Sequence, residues 1–114
     1  MIDKERAKLR FMRDPIPRRL GGIAASLGRI ASSAKSAGSE KNVLEMMQEV
    51  KYYIEWTAPE LEPELAAELA DIQIALALWQ RGWHEEKQSR QQRTILSFQA
   101  KKWSDAVLAA SGLV

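Results

Sequence analysis

Apolar residues recur along this chain at the three- and four-residue steps of an α-helix. The clearest run is Leu65, Leu69, Ile72, Leu76, Trp79 and Trp83, whose steps of 4, 3, 4, 3 and 4 keep every member on one face. Three more stripes have the same period: Leu20, Ile23, Leu27, Ile30 and Ala34; Val43, Met47, Val50 and Ile54; and Leu96, Ala100, Trp103, Val107 and Ala110. A face of this kind needs something to be buried against, and the stripes can supply partners for one another.

Breakers divide the stripes into elements. Residues 3–12 favour helix but carry only a thin apolar stripe, Leu9 and Met12, which predicts a short helix or an arm. Asp14-Pro15-Ile16-Pro17 ends it and opens a second helix that runs to about Ser36. Ala37-Gly38-Ser39 reads as a turn, with Ser39 as N-cap of a third helix to about Trp56. Thr57, Pro59 and Glu60 fit a capping box for the fourth helix, although Pro63 offers a second start. That helix should end at Gly82 in a left-handed cap, and the last should span about Glu86 to Ser111, with Gly112 as its stop and Leu113 or Val114 folding back over the final turn. Short links favour antiparallel neighbours. The expected fold is therefore all-α, an up-and-down four-helix bundle with an extra short N-terminal helix or arm at residues 1–16, in a single domain covering 1–114. Two hairpins from two chains could build a dimeric bundle with the same pattern.

Residues 21–31 combine Gly21, Gly22 and Gly28 with Ala24, Ala25 and Ala31. Mid-helix glycine costs about 1 kcal/mol relative to alanine, so close packing has to offset it, and the four tryptophans are the natural bulky partners.

Composition narrows the chemistry. The chain is 46% hydrophobic and 28% charged, ordinary for a globular protein. Cysteine is absent, which removes disulfides, thiolate metal sites and thiol catalysis, and a single histidine, His84, removes a multi-histidine site. Apolar stretches fall well short of the roughly 20 residues that span a bilayer, and MIDKERAKLR leads into no hydrophobic leader segment, so the expected location is cytoplasmic with no membrane partner.

The net charge of +2 conceals segregation, for two basic segments flank an acidic middle. The acidic residues offer Glu68-Leu69-Ala70-Asp71, which resembles the E-x-x-D half of the motif in all-helical nucleotide pyrophosphatases. The other half is missing, since Glu45 and Glu49 are four apart. No catalytic residue, metal ligand or cofactor is assigned on this basis. The N-terminal bases, including Arg10, Arg13, Arg18 and Arg19, could neutralise phosphates of a nucleic acid or serve the acidic middle of a neighbouring protomer. Phe11 is their only aromatic companion, which argues against a base-stacking platform. Trp56 and Trp83, at helix ends, could cap the bundle or anchor a partner.

DPIPRRLGGIAASLGRIAS, YYIEWTAPELEPELAAELADIQIALALWQ and KKWSDAVLAASGLV together resemble a group of small helical proteins of unknown function in cyanobacteria. The resemblance implies a bacterial cytoplasmic protein and brings no activity or site residue. The expected function is a non-enzymatic helical interaction or structural module that self-associates. Nucleic-acid binding through the basic segment, and a metal-dependent pyrophosphatase-like activity of the acidic cluster, are the alternatives.

Overall fold

In the computed structural model, which describes residues 3–113, five α-helices follow one another: α1 Lys4–Met12, α2 Ile16–Ala34, α3 Glu40–Thr57, α4 Pro63–Gly82 and α5 Arg90–Ser111. Residues 1 and 2 of the expected arm, and Val114, lie outside the described residues. No strand occurs among the described residues.

The stripes supply most of the core, although Leu65, Trp79 and Trp103 are only partly buried and Ala110 is exposed. Leu20, Ile23, Leu27, Ile30 and Ala34 of α2 are buried together with Val43, Met47, Val50 and Ile54 of α3. Leu69, Ile72 and Leu76 of α4 join them, as do Leu96, Ala100 and Val107 of α5. Helix α2 is central. It packs most heavily on α5 and next on α3, and α4 packs on α3.

The small-residue face of α2 meets α5, not the tryptophans. Ser97 donates its hydroxyl hydrogen to the Ala31 carbonyl and Ser104 donates to the Ala24 carbonyl, both at 2.7 Å. These pairs run in opposite directions along the two helices, so α2 and α5 are antiparallel. Hydroxyls can reach a neighbouring backbone only where the helices nearly touch, and Gly28 and Ala100 sit between the two bonds to allow it. Leu113 folds back over the final turn as expected, reaching the bare face of Gly21, where a Cβ would lie 2.6 Å from its Cδ1. Gly112 stops α5 in the left-handed region, at φ 78°.

The N-terminal segment takes the helical form of the two expected, and two other local expectations are corrected. Residues 4–12 form a helix docked on α3, because Phe11 stacks on Tyr53 with ring centroids 4.2 Å apart and planes 3° from parallel. Thr57 does not cap α4. Residues 58–60 form a 3-10 turn, Glu60 is drawn to Arg19 instead, and α4 begins at Pro63. Gly82 is not left-handed, since only Gly38 and Gly112 have positive φ among the described residues. The chain leaves α4 through Trp83 in extended conformation, φ −95° and ψ 121°, which turns the indole inward.

Candidate interaction surface

Helix α4 carries two apolar registers. The inward one is the core stripe. The outward one is Ala67, Asp71, Ile74, Leu78 and Arg81, again at steps of 4, 3, 4 and 3, and all five side chains are exposed. Ile74 is 60% and Leu78 62% accessible, values that belong to polar residues on an ordinary amphipathic helix.

Beside this face, α4 and α5 lean apart. Near the α4–α5 connection a cleft of about 440 Å³ opens between Ala75, Leu78 and Trp79 on one side and Gln92 and Gln99 on the other. Trp79 forms its wall, donating from Nε1 to Gln99 Oε1 at 2.8 Å and meeting Trp83 edge-on at 6.0 Å. Toward the other end a cleft of about 350 Å³ lies between Leu65, Glu68 and Asp71 of α4 and Trp103 and Ala106 of α5. On α5, Ile95 is 41% and Phe98 67% exposed, with the Lys102 ammonium 5.6 Å from the Phe98 ring centre. The seam is acidic at Glu68 and Asp71 and apolar around Leu78 and Trp79; Arg81 is exposed in the last turn of α4.

A second cleft system lies between α1 and α3. Tyr52, Tyr53 and Trp56 line it with Lys4, Glu45 and Glu49, enclosing about 310 Å³. The Lys4 ammonium sits 4.5 Å from the Tyr52 ring centre, and Tyr52 stacks on Trp56 at 5.7 Å. Burial, reinforced by the negative charge of Glu49, pushes the Tyr53 hydroxyl pKa above its ordinary 10.0. This is an aromatic seam that fixes α1. Glu45 and Glu49 belong to it while Glu68 and Asp71 line the α4–α5 cleft, so the two acidic pairs do not share a site. Among the described residues no three carboxylate or histidine side chains converge on a point that could hold a metal ion.

The residues singled out from sequence divide cleanly. Arg10, Arg13 and Arg18 are exposed. Arg19 is buried and committed internally: its guanidinium donates to Glu60 at 2.7 Å, to the Asp14 carbonyl at 2.8 Å and to the Met12 carbonyl at 3.4 Å. It therefore ties the end of α1 to the 3-10 turn and presents no face to a partner. Trp56 is buried in the aromatic seam. Trp83 is 5% exposed and donates to the Glu40 carbonyl at 3.1 Å. Trp83 thus closes the fold, while Trp56, 8% exposed, lines the cleft between α1 and α3.

Sequence reasoning passed over Ile74, Leu78, Ile95 and Phe98, whose signal was the second 3,4 register of α4 and the apolar residues left outside the α5 stripe. It also passed over Glu40, a buried carboxylate at the start of α3. Its Oε1 accepts from the Gly38 N–H at 2.8 Å and its Oε2 from the Gln88 N–H at 3.2 Å, which binds the α2–α3 turn to the α4–α5 connection. A glutamate at the head of a helix gave no hint of that long-range partner.

No protein-family model, curated protein or solved structure matches this chain. No described helix is long and apolar enough to cross a membrane.

Proposed function

We propose that this protein is a non-enzymatic helical interaction module whose four long helices form an up-and-down bundle, left open along α4 and α5 to receive a helix from a protein partner. The observation that carries the reading is the second apolar register of α4, with Ile74 and Leu78 60% and 62% exposed beside a parted α4–α5 seam. Exposed apolar surface arranged at coiled-coil spacing is the ordinary signature of a helix-docking groove. The reading assigns no cofactor and no catalytic residue.

A photoreactive residue at position 78 tests it in the cells that make the protein, with the same residue at exposed Lys41 as control. Discrete crosslinked species at 78 and none at 41 are expected. Equal labelling at both positions, or none at 78, would place the face in solvent and overturn the reading.

The nucleic-acid reading keeps one observation in its favour, the exposure of Arg10, Arg13 and Arg18. It loses Arg19 to the interior and Phe11 to the stack on Tyr53. Oligonucleotide retention that falls steeply with salt would restore it.

A further inference from the structure

We infer that the helix received by the open face is α4 of a second copy of this chain, antiparallel to the first. The inference rests on the interaction-module reading and names its partner. Its ground is the order of charges along the outward register. Asp71 precedes Ile74 and Leu78 in this register and Arg81 follows them, and each of the four is exposed. A two-fold axis midway between Ile74 and Leu78 makes this sequence its own complement: Ile74 meets Leu78 of the partner subunit. Arg81 then reaches the partner's Asp71, an arrangement repeated by symmetry at the other end.

The parallel alternative stacks Asp71 on Asp71 and Arg81 on Arg81 and is disfavoured by both like-charge pairs. A heterologous helix would not require the charge gradient of α4 to be self-complementary, whereas an isologous interface does.

Sedimentation equilibrium of the full chain tests the inference, with far-UV circular dichroism confirming that each variant is helical. The wild type is expected to be a concentration-dependent dimer. Leu78→Glu should be monomeric across the same range, its parent side chain being exposed and outside the core. Arg81→Glu and Asp71→Lys should each weaken the dimer by about tenfold or more. An equimolar mixture of those two charge variants should recover wild-type association, because opposite charges then meet at both ends. A wild type that stays monomeric, a dimer indifferent to Leu78→Glu, or a mixture no tighter than its components would each overturn the second-copy inference. If a monomeric wild type still crosslinks through position 78 to a different protein, the interaction-module reading stands without it.

Discussion

Glu40 shows how much one side chain can hold. Its carboxylate accepts N–H groups from two connections far apart in sequence, while its backbone carbonyl accepts from Trp83. The hydrogen bond to its own backbone N–H does most to lower its pKa below the ordinary 4.5. Gly38, Gln88 and the charge of Arg93 add to that effect and burial opposes it. A carboxylate whose pKa is lower folded than unfolded contributes stability that is complete above about pH 4.5 and is lost as the pH falls through the folded value. Glu40→Gln keeps the shape but has a single acceptor oxygen. It should destabilise the neutral protein by about 1–3 kcal/mol, the cost of a buried donor left unpaired. Urea melts at pH 7 and at pH 4 should show a smaller acid loss for Glu40→Gln than for the wild type; parallel losses would mean that another group controls the acid limb.

At the scale of the element, the α2–α5 seam depends on small residues on both sides. Gly28 lies against α5, and a Cβ built there would be 3.5 Å from Ser104 Oγ, an ordinary contact distance. Gly28→Ala should therefore stabilise the protein by up to about 1 kcal/mol, since alanine removes the glycine penalty without moving α5. Gly28→Leu has no such room and should cost about 1–3 kcal/mol despite its better helix propensity. Opposite signs for the two substitutions in thermal or urea unfolding would establish the seam as close-packed. Stabilisation by leucine would show that the helices stand further apart than the paired serine bonds imply. Two hydroxyl-to-carbonyl bonds fix the register of this seam, which is why serines occupy positions that an apolar pattern reserves for hydrophobes.

For the molecule as a whole, the division of labour between faces makes a separable prediction. Helix α1 packs on α3 and lines neither α4–α5 cleft. Phe11→Ala removes the stacked partner of Tyr53 and should cost about 1–3 kcal/mol, combining lost apolar burial with the aromatic pairing itself. Deleting residues 1–13 should cost at least as much, because it also strips Arg19 of the Met12 carbonyl. Dimerisation through α4 should survive both changes at temperatures where the chain is folded. This reverses the expectation from charge alone, in which the basic arm joins protomers and the core does not notice its loss. A truncated chain of unchanged stability with a weakened dimer would return the N-terminal segment to that role.

The sequence by itself determined the helices and their inward faces, because a period of 3.6 residues follows from local backbone geometry and each buried stripe needs only to be apolar. Leu69, Leu76, Val50 and Leu27 are buried where the pattern put them. It also marked the breaks at Pro15 and Gly112, whose effects are confined to neighbouring residues. Tertiary structure decided everything that depends on distance across the fold. That the small face of α2 should meet serines and not tryptophans, that Glu60 should turn to Arg19 and so release the cap of α4, and that Trp83 should point inward each required two segments to be brought together before either side chain had a partner. The candidate interface belongs to the same class. Ile74 and Leu78 are as apolar as the core residues around them, and only the packing of α4 on α3 shows which of its two registers remains uncovered.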